Sequence, residues 1–187
     1  MYSNILRGSI TALAITVAAA AAPAQTTPPP PPIKPGLWQV HMDREVNGQK
    51  APDMSDHLKN MPPEKRAQIE AMMKQRGIDM SGGGVNQVCY SRETLEHSPW
   101  ADIQTDCKPT FSTQTSSTWK WHTSCPKSGY ESDGEATFTD SENYTVKSTS
   151  VSKFGDKVRN STTTITGKWQ GSDCGDLKPL NLKPEGK

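Results

Sequence analysis

The sequence predicts a mainly β protein: an antiparallel meander of about seven strands, closed into a small barrel or near-closed sheet, with one α-helix inserted at about residues 62–76. Three observations predict it. Apolar and polar residues alternate with period 2 along much of the chain from residue 36 onward, the mark of strands with one buried face. The connections between these runs are short, and consecutive strands so joined pair as antiparallel neighbours. A single segment switches to helical periodicity, with start and stop residues at its ends.

The first 24 residues read as a cleaved secretory signal: Arg7, an apolar stretch from Ile10 to Ala22, and the small-x-small site Ala22-Pro23-Ala24. The stretch is too short to span a bilayer comfortably, which takes about 20 apolar residues. Residues 25–34 follow as a linker in which Pro28–Pro32 imposes extended polyproline II. One domain is expected over 35–180, and a flexible tail over 181–187.

Within the domain, Trp38, Val40 and Met42 alternate with Gln39, His41 and Asp43 and mark the first strand. Residues 47–60 lose the pattern and read as loop. Met61-Pro62-Pro63-Glu64 then starts the helix, with prolines in the first turn and an acid at the positive helix end. Ile69, Met72 and Met73 form its apolar face, and Gly77 ends it as a left-handed cap. Ser81–Gly84 is a hinge before a short strand over Val85–Tyr90. Residues 91–106 read as loop with a helical turn near Glu93–Glu96.

Strands follow at about 109–115, 118–125, 134–140, 143–152 and 157–169. The first two of these form a hairpin across Ser116-Ser117, with Trp119, Trp121 and Thr123 on one face of the second. Tyr144 and Val146 share a face that Val151 does not, which predicts a bulge between them. The β-branched, mostly polar run Thr162–Thr166 reads as an outward-facing strand. The tail from Gly171 reads as irregular and frayed beyond Pro179.

Composition narrows the function classes. The chain has 21 basic and 20 acidic residues, and removing the signal removes only Arg7 among them, so the mature chain is neutral. A neutral chain without a basic cluster is unsuited to nucleic acid or an anionic membrane surface. No segment after the signal is apolar enough to cross a bilayer as a helix. Large aliphatics are sparse, but five tryptophans supply buried area and four cysteines supply cross-links. Cys89, Cys107, Cys125 and Cys174 are expected to form two disulfides. Local loop closure favours Cys89–Cys107 with Cys125–Cys174, and the rival is Cys107–Cys125 with Cys89–Cys174. Sequence alone does not choose between them.

Several segments resemble a known set. Lys34-Pro35-Gly36-Leu37-Trp38-Gln39-Val40 is similar to the first strand of the domain-of-unknown-function 3617 family. Met61–Ala67 with Met72–Gly77 resembles that family's helical insert. Val88-Cys89-Tyr90, Asp106-Cys107-Lys108, Trp121 with Cys125, and Gly167-Lys168-Trp169 before Cys174 complete the likeness over about residues 34–180. The resemblance implies an exported, periplasmic protein of a Gram-negative bacterium. It implies no activity, since the family has none assigned. Gly36-x-Trp38 is also similar to the opening motif of lipocalin-like barrels, where a Trp closes one end.

Chemistry finds few footholds. His41, His57, His97 and His122 fall in separate elements without metal-ligand spacing, and no nucleophile elbow, zinc-protease or phosphate-loop motif is present. No catalytic residue, cofactor or metal ligand is therefore assigned, and no enzyme is expected. Met54, His57, Met61, Met72, Met73 and Met80 form a Cu(I)-type ligand set around the insert, against which stands the plain packing role of methionine. The residues expected to pack the core, or to line a cavity if the barrel is hollow, are Trp38, Val40, Trp119, Trp121, Phe138 and Tyr144. The leading expectation is a non-catalytic exported module that binds a small apolar molecule or an envelope partner. The alternatives are a purely structural or stress-related envelope protein, the copper module, and an enzyme with an unrecognised site.

Overall fold

Strand β1 (Gly36–Val46) opens the fold and lies near its centre, because both of its edges are taken. A computed structural model of the chain describes residues 29–96 and 107–181. The expected signal peptide, the linker as far as Pro28, residues 97–106 with His97 and Trp100, and the last six residues lie outside the described residues. After β1 come β2 (Gln49–Lys50), α1 (Met54–Lys59), α2 (Pro63–Gln75), β3 (Ile78–Asp79), β4 (Val85–Tyr90) and α3 (Arg92–Glu96). Then follow β5 (Lys108–Gln114), β6 (Thr118–Cys125), β7 (Tyr130–Asp140), β8 (Asn143–Phe154) and β9 (Lys157–Gly171).

These strands form one antiparallel sheet of nine in the order β3-β4-β1-β9-β8-β7-β6-β5, with β2 folded against the far end of β1. The meander β5 to β9 is sequential, as short connections require. β1 then inserts beside β9 over ten residue pairs. The sheet is not closed, which corrects the barrel expectation: among the described residues β3 and β5 end it as edges that do not pair with each other. The chemistry of those edges opposes closure. β3 has only two residues, and β5 carries Pro109, which lacks an N–H, and a register shift between Phe111 and Thr113. The core at the β4 end is instead filled by Leu95 of α3 and Leu180 of the tail.

Other expectations are also corrected. Residues 47–60 are not simply loop. Asn47 (φ 51°) and Gly48 (φ 77°) make a tight left-handed turn between β1 and β2, and Asp53 caps α1 by accepting from the Ser55 N–H. β8 runs against β9 from Asn143 to Phe154 without a register shift, so there is no bulge between Val146 and Val151, and Val151 faces outward. Thr163 and Ile165 share the face of Met42 and Arg44, so only alternate residues of 162–166 point out. The tail does not fray at Pro179: Leu180 is buried and its N–H donates to the Cys89 carbonyl at 2.7 Å. Part of the predicted linker is domain, since Ile33 packs on the core and the Lys34 N–H donates to the Ser141 carbonyl.

The helix at 63–75 forms where its prolines and Gly77 (φ 86°) place it, yet it buries no residue and leaves Met72 47% exposed. It is anchored at its C-terminal end, where the Asn181 N–H reaches the Arg76 carbonyl and the backbone of 178–180 packs on Gly77. None of the helices among the described residues is long and apolar enough to cross a membrane.

Candidate functional site

The face of the sheet that carries Trp38, called inner here, divides into two halves along the strands. The first half is a solid aromatic core. Trp38 is fully buried, with the Tyr144 and Tyr90 ring centroids 5.2 and 6.1 Å away, and its Nε1–H donates to the Lys34 carbonyl. Trp119 packs edge-on against Phe138 at 5.4 Å and Phe111 at 6.0 Å. Two glycines make room for rings on neighbouring strands: a Cβ on Gly167 would sit 2.1 Å from Tyr144, and one on Gly134 would sit 2.2 Å from Trp121. Of the six residues expected to line a core or cavity, Trp38, Val40, Trp119, Phe138 and Tyr144 are buried and Trp121 is half-buried at the boundary.

The second half is polar and open. Beyond the buried Val40, the next inward residue of β1 is Met42, which is 47% exposed. It lies in one cross-strand row with Ile165 and Val146, both half-buried. One step further along, Arg44, Thr163, Ser148, Gly134 and Trp121 form the next row. The row after that starts at half-buried Val46 of β1 and continues through Ser161, Ser150, Ser132 and Thr123 on four adjacent strands. At about 4.8 Å between strands, these four hydroxyls span about 14 Å. Arg44 donates from Nη2 to Ser161 Oγ at 3.2 Å. Ser132 is only 8% exposed and its hydroxyl has no hydrogen-bond partner among the described residues. No fully buried side-chain polar atom among them lacks a partner, so that oxygen reaches open space.

Charge is sorted by face. Asp43, Glu45, Glu131, Asp133 and Glu135 all project outward, where Lys50 pairs with Asp43, Lys120 with Glu135 and His122 with Asp133. Lys50 beside Asp43 holds that carboxyl below the usual range. The inward strand positions of the described residues carry Arg44, Lys157 and Arg159 and no acid. This is a surface suited to an anion rather than a cation.

One polar pair lies inside the aromatic half. The Tyr90 and Tyr144 hydroxyls meet at 3.2 Å, and burial pushes both phenols up. Each is thereby held neutral, with one hydroxyl donating to the other. They make a structural pair in the core, and neither is poised to give up a proton.

The other sequence-derived candidates scatter. The disulfides are Cys89–Cys174 and Cys107–Cys125, which corrects the pairing that local closure favours. Cys89 is reached by the returning tail, and Cys107 flanks β5 beside the end of β6. No group of three His, Cys, Asp or Glu gathers to hold a metal among the described residues. Met80 is buried, Met72 is exposed, and His57 is exposed on the separate helix α1. His41 is tied to the Gly84 carbonyl at 2.8 Å and to Asp43 at 2.9 Å. A shallow polar depression of about 290 Å³ beside Cys125, Tyr130 and Lys153 gathers no catalytic set. Sequence reading missed the hydroxyl row. Its signal was the alternation Ser148, Ser150, Ser152 in step with the apolar Tyr144 and Val146.

Comparison with known proteins places the chain. The family model described as "Protein of unknown function (DUF3617)" matches residues 33–174. A Pseudomonas putida protein, described as an uncharacterized protein in the lpd-3 5′ region, is 34% identical over 112 residues, covering 57% of this chain and 77% of that one. Among solved structures, the S-type phycobiliprotein lyase CPES from Guillardia theta aligns at 12% identity with a TM-score of 0.36 over 73% of this chain and 88% of that one. That likeness is too loose to carry an argument.

Proposed function

The chain belongs to the DUF3617 family, and on that premise we propose that it is an exported, non-catalytic module of the Gram-negative periplasm. Its sheet holds a small, largely apolar ligand, or the surface of an envelope partner, on the open half of its inner face. The observation that carries this reading is the break in the face at Met42. A core strand passes from fully buried Trp38 and Val40 (7% exposed) to a large apolar side chain 47% exposed, flanked by half-buried Ile165, Val146 and Trp121. A face that stops being filled at an apolar row, before it turns polar, supports a binding surface. The two disulfides fit an oxidising compartment.

The test combines fractionation with native mass spectrometry. Protein recovered from its own cells should start at Gln25, appear in the periplasmic fraction, and carry a small molecule or partner that the Met42→Asp variant releases. Full-length chain in the membrane pellet refutes the export reading. Identical bare masses for both proteins refute the binding reading. The solid aromatic half favours a second reading, a purely structural envelope protein, and that reading takes over if the bare masses are found.

A further inference from the structure

We propose that the open half of the inner face binds a single-chain amphiphile with a carboxylate head, its tail on Met42 and Ile165 and its head between Arg44 and Arg159. The inference rests on the binding reading above and names the ligand class for that same face.

The chemistry of the inner face is ordered along the strands. Moving down β9 on the inner side, the residues are Ile165, Thr163, Ser161 and Arg159. The sequence is thus apolar, hydroxyl, hydroxyl, cation. β8 repeats it without the cation, through Val146, Ser148 and Ser150. From Ile165 to Arg159 is six residues, about 20 Å at 3.3 Å per residue, the length of an extended acyl chain with its head. A molecule apolar at one end and anionic at the other matches this order. An uncharged polyol would bury Met42 beneath hydroxyls and leave the guanidinium groups without a counter-charge.

The charge of this face complements an anionic head. Arg44, Lys157 and Arg159 are exposed, project to the face that has no strand acid, and form no ion pair among the described residues. Arg44 is already oriented by Ser161, with Nε at 3.4 Å and Nη2 at 3.2 Å. Fixing the guanidinium beforehand lowers the entropy lost when a carboxylate is bound, and guanidinium–carboxylate pairs are among the stronger hydrogen-bonded contacts. Ser132 adds a donor: the residue is only 8% exposed and its hydroxyl has no partner among the described residues. It can donate to a head-group oxygen lying across the row.

Isothermal titration of the mature, delipidated, disulfide-bonded protein tests this with three probes of equal chain length, each below its micelle concentration. These are dodecanoate, dodecanol and dodecyltrimethylammonium. Dodecanoate should bind one-to-one and about tenfold or more tighter than the other two, a difference of about 1.4 kcal/mol. The double variant Arg44→Gln, Arg159→Gln should lose that advantage while its dodecanol affinity and circular dichroism are unchanged. Met42→Asp, which places an anion in the tail seat, should weaken dodecanoate by a similar factor. Equal affinity for all three probes, or full dodecanoate affinity in the double variant, overturns the carboxylate inference and leaves the broader binding reading standing. Binding of none of the probes overturns the carboxylate inference and the small-ligand reading together, and leaves only the partner surface.

Discussion

Replacing Trp38 by Ala removes the one tryptophan that is completely enclosed among the described residues. Its ring is 0% exposed and touches Tyr144 and Tyr90, and its Nε1–H is the donor to the Lys34 carbonyl at 3.0 Å. Truncating a buried Trp costs about 3–5 kcal/mol through lost transfer energy and the cavity left behind. The upper part of that range applies here. The neighbours are rings held in place by Gly167 and by the Tyr90–Tyr144 hydroxyl pair, and they cannot collapse into the gap. Removing the Nε1–H also takes a partner from the Lys34 carbonyl. A loss of about 4–5 kcal/mol would be a large share of the 5–15 kcal/mol typical of a domain. Trp121, which the sequence places with Trp38 among the residues of a core or cavity, is half-buried with Phe111 at 6.2 Å, and Trp121→Ala should cost only about 2 kcal/mol. Urea melts followed by far-ultraviolet circular dichroism, with disulfides intact and slopes compared, read both values. If Trp38→Ala loses no more than Trp121→Ala, the claim that the aromatic half is the stabilising core is wrong.

Gly134→Ala and Gly167→Ala drive a Cβ into Trp121 and Tyr144, and each should lower stability by about 1–3 kcal/mol in thermal melts, whereas Gly171→Ala, with open space around it, should change little. Peptide mapping should return Cys89–Cys174 and Cys107–Cys125. The loops enclosed differ as 85 to 18 residues, so removing the first bridge should cost about 1.4 kcal/mol more than removing the second. Tyr90 and Tyr144 have folded-state pKa values raised above the unfolded value of about 10, so the folded chain retains protons that the unfolded chain releases. Stability should therefore fall as pH rises beyond about 10, and the Tyr90→Phe, Tyr144→Phe double variant should flatten that fall; an unchanged slope would exclude the pair as its cause. In hydrogen exchange, the amides of α2, which buries no residue, should be less protected than those of β6, and equal protection would mean the helix is part of the core.

Period-2 alternation made the strands legible without any structure, because a strand's burial pattern is carried by its own residues. Alternation bounds β6 at Thr118–Cys125, as in the fold, and the prolines and Gly77 place the helix to within a residue. The family was legible for the same reason, through short motifs that each lie within one element. The Asn47-Gly48 turn is equally local, its signal being the Asn-Gly pair itself. What only the tertiary structure decided is everything that depends on which strands become neighbours. Closure of the sheet turns on the meeting of β3 and β5, whose short length, proline and register shift leave it open. The disulfide pairing turns on the tail returning past β4, a contact across 85 residues of sequence that local loop closure cannot anticipate. The hydroxyl row is of the same kind. Ser161, Ser150, Ser132 and Thr123 come from four strands, and each alone looks like an ordinary polar surface residue. Register aligns them, and register is fixed by the burial of Tyr144, Phe138 and Trp119 at the other end of the same strands, since a one-residue slip would turn those rings to water.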